Sequence, residues 1–287
     1  MIPSSEFIIN ADGSAFHLHI RPDQLADKLV VCGDPGRVDM IASFFDSMEC
    51  NVSSREFHTI TGTYKGKRIT ALSHGIGPDN IDIVMTELDG LKNIDFETRE
   101  VKKELTSLEI VRIGTCGGLQ ENVPVGTSIV SEISIGFDGV LNWYADRDTV
   151  ADLDFESAMV DFIGYPKKAA RPYVVKANED LANRICGDDM VKGVTISAVG
   201  FYGPQGRVVR LPIASPDINK CIEKFEFQGK HITNYEMESA PLAGLARLLG
   251  HKAVTVCSVV ANRVAHNANS NYKDAIKILV ETVLDRI

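Results

Sequence analysis

The sequence predicts an α/β fold: one domain spanning residues 1–287, with a mixed central β-sheet flanked by helices and a polar lead-in at 1–16. Three observations carry this. Short β-branched runs alternate with amphipathic helical stretches as far as the C-terminus, the pattern of strands covered by helices. Several runs, such as Ile110–Ile113 and His251–Val260, are dominated by apolar and β-branched residues, as buried strands are. No internal repeat, low-complexity tract or Pro- or Ser-rich linker divides the chain.

Asp27–Cys32 reads as a strand entering the turn Gly33-Asp34-Pro35-Gly36-Arg37, with Val38–Phe45 as the helix that follows. Strand, glycine turn and helix start can form an anion site, because the helix start offers free N–H groups and a positive dipole end. Gly33 and Gly36 would permit close approach, and Arg37 would supply charge. No G-K-[ST] follows, so this is not a Walker motif. Arg55–Tyr64 and Lys67–Ser73 alternate like a hairpin around Lys65-Gly66-Lys67. Gly75-Ile76-Gly77-Pro78 leads into an amphipathic helix over Asp79–Leu91, with Pro78 suited to its first turn. GIGPDN lacks the third glycine of a dinucleotide fingerprint. Residues 92–107 are polar and read as an exposed helix or an insertion.

The stretch Leu108–Val130 is where chemistry first suggests itself. Ile110–Ile113 carries Arg112 near its end and empties into a glycine-rich turn, Gly114-Thr115-Cys116-Gly117-Gly118; Thr127–Ile135 is the next strand. An arginine in a β-branched run is costly to bury unless it meets an anion or a carboxylate. The stretch is either a plain strand and tight turn or an anion-binding floor at a strand's carboxyl end, where open α/β sheets bind ligands. Asp138–Asp154 reads as a loop with Trp143 and Tyr144, and residues 155–171 give no clear period. Glu179–Cys186 is a helix, Val191–Val199 a strand and residues 200–207 a loop. A helix over Asp217–Phe227 and a short strand, Ile232–Tyr235, follow. A helix over Ser239–Leu249, a strand over His251–Val260 and a helix over Asn271–Ile287 complete the alternation.

Composition removes several function classes. With 44% hydrophobic and 24% charged residues, the chain has material for a core, and its net charge of −9 argues against a nucleic-acid partner. The first residues, MIPSSEF, have no basic segment followed by an apolar one, and no run approaches the roughly 18 apolar residues of a membrane span. Cysteines 32, 50, 116, 186, 221 and 257 form no C-x-x-C pair and read as free thiols in a reducing compartment. The expectation is a soluble cytoplasmic protein with no membrane partner. No H-E-x-x-H, Cys/His cluster or G-x-S-x-G suggests a metal or a serine nucleophile. Histidines 19, 58, 74, 231, 251 and 266 read as solvated or satisfied structural residues.

Three groups of residues could carry chemistry. Arg37, Arg55 (beside Glu56 in a β-run) and Arg112, with the Thr115 hydroxyl, would suit a phosphate dianion, because the guanidinium fork matches phosphate oxygens. Glu236 and Glu238 flank Met237 in a strand-like segment, where residues two apart share a face. They could accept hydrogen bonds from a diol such as ribose, or simply favour a helix start. In FYGPQGR, Gln205 offers a donor and an acceptor and Arg207 only donors. With Phe201 as a stacking face, that set could read a planar imide such as uracil, or it is a plain loop.

These pieces, in this order, resemble the uridine phosphorylases of the hexameric-type nucleoside phosphorylase family. The likeness runs from about His17 to the C-terminus and rests on GDPGR (33–37), REF (55–57), GIG (75–77), RIGTCGG (112–118), FYGPQGR (201–207) and NYEMES (234–239). It implies phosphate held by Gly33, Arg37, Arg112 and Thr115, with Arg55 reaching in from a neighbouring subunit. It implies ribose held by Met237 and Glu238, with Glu236 nearby and His17 again from the partner. It implies a base read by Gln205 and Arg207 and packed by Gly117 and Phe201. Arg207, Gln205 and Arg112 are then the catalytic set. Inorganic phosphate is a co-substrate, no cofactor or metal is called for, and the chain is a homo-oligomer, dimer or hexamer. Purine-specific relatives place an aspartate after the late strand, where this chain has Val260-Ala261-Asn262-Arg263. The competing expectations are a purine nucleoside phosphorylase, a nucleosidase, and a non-catalytic nucleoside-binding protein.

Overall fold

A computed structural model describes residues 1–265, 267–269 and 272–287. The expectations for His266 and for a helix start at Asn271 therefore lie outside the described residues. In chain order the elements are β1 (Lys28–Cys32), α1 (Pro35–Ala42), β2 (Ser47–Ser54), β3 (Phe57–Tyr64), β4 (Lys67–Ser73) and α2 (Pro78–Asn93). They continue with β5 (Ile94–Asp95), β6 (Glu100–Val101), β7 (Glu109–Gly118), β8 (Ser128–Gly136), α3 (Leu153–Ile163), β9 (Tyr173–Lys176) and α4 (Glu179–Ile185). The last are β10 (Val191–Ser197), α5 (Ile218–Lys224), β11 (Glu226–Phe227), β12 (Lys230–Glu236), α6 (Ser239–Leu249), β13 (Lys252–Asn262), β14 (Asn267–Ala268) and α7 (Lys273–Arg286).

A 12-stranded mixed sheet runs β11-β12-β10-β8-β13-β7-β1-β4-β3-β2, with β9 added to β8 and β14 to β13. The strands around β7 are parallel: β1 lies on one side and β13 on the other. β8 runs antiparallel to β13 and parallel to β10, which is parallel to β12. β12 then meets the end of β7, pairing Tyr235 with Gly117 and Asn234 with Gly118. Strands β7, β13, β8, β10 and β12 thus close a ring, in which the carboxyl ends of β7 and β13 lie side by side at one mouth while β8, β10 and β12 run the opposite way.

Helices cover the sheet because each offers one apolar stripe. Val38 and Ile41 of α1 pack with Leu181 of α4 and Leu279 and Val283 of α7 on one face. Ile81, Val84 and Leu88 of α2 and Leu242 and Leu245 of α6 pack on the other. Phe155, Met159 and Phe225 make a third core beyond β10. α6 is buried from Ser239 to Ala246. Its small residues allow this: a Cβ on Gly244 would lie 2.9 Å from Leu141 Cδ2.

Several expectations need correction. Gly114–Gly118 is not a turn but the second half of β7. The glycines are there for space: a Cβ on Gly114 would sit 2.8 Å from Arg112 Nη1 and 2.9 Å from Cys257 Sγ. Arg55 is not in a strand; it sits in the β2–β3 turn with φ 54°. Residues 92–107 hold the end of α2 and the short β5–β6 pair rather than a separate helix. The unassigned 155–171 region contains most of α3, whose Asp152 cap accepts from Phe155 N. Strands β2 and β9 were not anticipated. β2 is mostly exposed (SMECNVSS) and has no apolar run to announce it, and β9 is only four residues long (YVVK).

Candidate active site

The mouth of the strand ring gathers three clusters. The first is built on Arg112, whose guanidinium is buried among acceptors. Its Nη1 donates to Glu236 Oε2 at 2.8 Å, its Nη2 donates to Glu238 Oε2, and its Nε donates to His74 Nε2 at 3.2 Å. Nη1 also approaches Cys257 Sγ at 3.7 Å. Burial works against the Arg112 charge, but Glu238 and then Glu236 outweigh it and raise its pKa. Burial raises the Glu238 pKa, with Arg112 opposing and Glu236 assisting.

Glu236 ends β12 and Glu238 caps α6, so they converge through a helix start rather than along one strand face as the sequence suggests. Glu236 is saturated. It accepts from Arg112, from Ser197 Oγ at 2.6 Å, from Ser239 Oγ at 2.8 Å, and from the backbone N–H groups of Glu238 and Ser239. A carboxylate that quenches a helix start in this way has no lone pair to spare for a diol. In this chain Glu236 holds Arg112 and α6. Glu238 Oε1 accepts from Gly77 N at 2.8 Å, which ties the GIG turn to the same cluster. Met237 lies half-buried between the two acids.

The second cluster is the first glycine turn. Arg37 Nη1 donates to Ile113 O at 3.0 Å, one residue beyond Arg112 on β7. Asp34 already caps α1 through Gly36 N, so that helix start is partly occupied. Gly33 is glycine for packing: a Cβ there would stand 2.9 Å from Gly75 O and 3.8 Å from His74 Cε1. Thr115 is half-buried on β7 opposite Ser258, and its hydroxyl has no hydrogen-bond partner among the described residues.

The third cluster is the 201–207 loop. Arg207 stacks its guanidinium 3.8 Å above the Phe201 ring, donates to Phe201 O, and donates to Gln205 Oε1 at 2.6 Å. Phe201 thus presents one ring face to Arg207. Arg263, notable in the sequence only for not being an acid, donates to Gln205 O and lies over the Tyr235 ring at 5.1 Å. Its Nε is 4.0 Å from where a Cβ on Gly117 would be. Burial, then the neighbouring Arg263 charge, pushes Arg207 down to about 10. The visible signal for Arg263 is its place directly after β13, at the ring mouth. Asn262 beside it is spent on structure: its amide donates to Gln120 O and Val123 O, and its carbonyl accepts from Val264 N and Ala265 N.

Two expected site residues are not brought in within this chain. His17 hydrogen-bonds Glu87 of α2 at 2.6 Å through Nδ1. Arg55 is exposed in its turn and has no ion-pair partner among the described residues. His74, expected to be satisfied or solvated, is fully buried, and its Nδ1 has no hydrogen-bond partner.

Behind the loop lies a cavity of about 330 Å³ lined by Phe137, Asp138, Tyr165, Val199, Pro204 and Ile213. Burial raises the Asp138 carboxyl from its ordinary 3.8 to about 6, although Val140 N and the Tyr173 hydroxyl donate to it. A raised folded-state pKa means the group favours folding below pH 4, and that stability is lost as pH rises through 6. The loss is at most about 3 kcal/mol at pH 7. Asp138→Asn keeps both acceptor bonds and avoids the charge. Its urea midpoint is expected to exceed that of the parent at pH 7, by about 1–2 kcal/mol, and to approach it at pH 4.5. An equal gain at both pH values would contradict the burial argument.

A family model described as the phosphorylase superfamily matches residues 27–285. The chain belongs to the phosphorylase superfamily. Among curated relatives, the phosphorylase is 28% identical to a uridine phosphorylase of Thermococcus kodakarensis, over 95% of this chain and 86% of that one. It is 30% identical to a uridine phosphorylase of Escherichia coli, over 93% and 95%. It is also 28% identical to a DeoD-type purine nucleoside phosphorylase of Colwellia psychrerythraea, over 93% and 98%. A crystal structure of a Trypanosoma brucei nucleoside phosphorylase, described as showing uridine phosphorylase activity, superposes with a TM-score of 0.89 at 29% identity, covering 98% of both chains. The mixed sheet flanked by helices is thus the family's architecture. No helix among the described residues is long and apolar enough to cross a membrane.

Proposed function

We propose that this phosphorylase is a uridine phosphorylase, converting uridine and phosphate reversibly to uracil and ribose 1-phosphate in pyrimidine nucleoside catabolism and salvage. Relatives of pyrimidine and purine specificity match at nearly the same identity, so the choice of base rests on the base-side residues. The observation that carries it is the Gln205–Arg207–Arg263 cluster, together with an Asn262 whose amide and carbonyl are both consumed by backbone. Purine-specific relatives would need an acid near that place, and none stands there among the described residues.

Phosphate is read as resting near Gly33, Arg37, Arg112 and Thr115, below a ribose gripped by Glu238 and Met237. Held there, it attacks C1′ as the glycosidic bond lengthens, a bimolecular step made effectively intramolecular. The departing uracil gathers negative charge on its carbonyls. Arg207 and Arg263 repel one another, and an anion between them relieves that repulsion, so stabilisation grows as the bond breaks. Gln205 Oε1 already accepts from Arg207, which leaves its Nε2 as the group offered to the base. No cofactor or metal enters this reaction.

A homo-oligomer, dimer or hexamer, completes the site in this reading, with His17 and Arg55 supplied by a neighbouring subunit. Supporting it, Arg55 is exposed and lacks an ion-pair partner among the described residues, and His17 leaves its Nε2 unpaired among them. The reading places the enzyme in the cytoplasm, in keeping with six free cysteines.

The deciding experiment measures free base released from uridine and, in parallel, from inosine, with and without phosphate. Uracil release that requires phosphate, with inosine untouched, is expected. Hypoxanthine release would transfer the assignment to a purine phosphorylase. Release without phosphate would make the protein a nucleosidase, and no release from either would leave a nucleoside-binding protein.

A further inference from the structure

His74 follows the last residue of β4 and begins the turn that Gly33 packs against. The reaction described above gives it no task, yet its position is unusual on three counts. The ring is wholly buried, its Nδ1 has no partner, and its Nε2 accepts from Arg112 Nε at 3.2 Å. Accepting that bond requires a lone pair on Nε2, so the imidazole is neutral and any ring proton is on Nδ1. An orphaned buried N–H is a cost that an apolar side chain would avoid. That cost is tolerated at the one place where the histidine faces the arginine.

Counting donors shows what the histidine achieves. A guanidinium has five N–H groups, and four of them are directed at His74, Glu236, Cys257 and Glu238. One N–H, on Nη2, remains. The two carboxylates alone could be satisfied by a guanidinium rolled about their common edge, and the third contact, on Nε, fixes the roll. A third carboxylate would fix it equally well but would take the cluster from a net charge of −1 to −2, with both acids ionised, and so repel an anion. A neutral acceptor avoids this.

We propose that His74 is a positioning residue of the phosphate subsite, a neutral acceptor that orients Arg112 so that its remaining N–H meets the anionic co-substrate. The inference rests on the phosphorylase reading given above.

The test compares His74→Gln, His74→Glu and His74→Leu in the 287-residue chain, by steady-state kinetics in each substrate and by thermal melting. Gln and Glu have similar reach and differ by one charge. His74→Gln is expected to keep the phosphate KM within about threefold of the parent. His74→Glu is expected to raise it at least about thirtyfold, and His74→Leu about tenfold, while the uridine KM stays within about twofold in all three. Equal phosphate KM values for the Gln and Glu variants would overturn the proposal, as would parallel changes in both KM values. Losses that simply track the melting temperature would reduce His74 to a packing residue and also overturn it. If the parent itself showed no phosphate-dependent turnover, the functional reading would fail first. Titration of inorganic phosphate into the Gln and Glu variants by calorimetry would then still judge His74: weaker binding by the Glu variant alone supports the role, and equal binding refutes it.

Discussion

Arg112→Met is expected to cost about 3–5 kcal/mol of folding stability as well as most of the activity, since removing one partner of a buried ion cluster leaves the others uncompensated. Here two carboxylates are stranded. Glu236 keeps its hydroxyl and backbone donors, whereas Glu238 keeps only Gly77 N among the described residues. The variant should therefore shift its urea midpoint far more at pH 8 than at pH 5. Without the arginine the paired acids bind protons more readily in the folded than in the unfolded chain, so acid restores what the substitution removed. Adding Glu236→Gln and Glu238→Gln to Arg112→Met should return much of the stability and none of the phosphate-dependent turnover. That separation tells a scaffold from a catalyst. If the single variant melted like the parent at pH 8, Arg112 would not be what keeps the two acids ionised together. If the triple variant regained turnover, it would not belong to the chemistry.

The layout of the chain was legible where pattern and burial agree. Strands β1, β4, β8, β10 and β13 and helices α2, α6 and α7 announce themselves through apolar runs and helical periodicity. The glycines of β7 misled because glycine has two uses. A glycine run usually marks a turn, but here Gly114 makes room across strands for the guanidinium of Arg112 and the sulfur of Cys257. Only the partner strand reveals that. The same limit applies to the charges. Sequence spacing singled out Arg112, Glu236 and Glu238 but assigned them to different ligands, whereas the folded chain spends them largely on one another. The partner of a buried charge is set by the sheet's crossing order, and nothing local to RIGT or YEMES encodes it. For a related reason, the sequence does not mark out Arg263 and His74. Each is an ordinary residue at the end of a strand, and only the ring of strands shows that those ends share one mouth.

Arg207→Ala is expected to lower kcat/KM for uridine by about 10²–10³, the usual cost of deleting one preorganised donor to a developing oxyanion. The loss should fall on the base. The phosphate KM should stay within about twofold, because Arg207 contacts Phe201 and Gln205 rather than any residue of the Arg112 cluster. Stability should barely change, as the side chain is only partly buried in a surface loop. A lysine at this position should not rescue activity, since it keeps the charge but loses the fork that spans the Phe201 ring and Gln205. A substrate series gives the sharper check. Fluorine at C5 makes uracil a better leaving group and leaves less negative charge for the enzyme to stabilise, so the deficit of Arg207→Ala should shrink with 5-fluorouridine. A deficit that stayed constant across the two nucleosides would mean that Arg207 shapes the loop or grips the ground state instead. A deficit in phosphate saturation would mean that the base and phosphate ends of the site had been assigned the wrong way round.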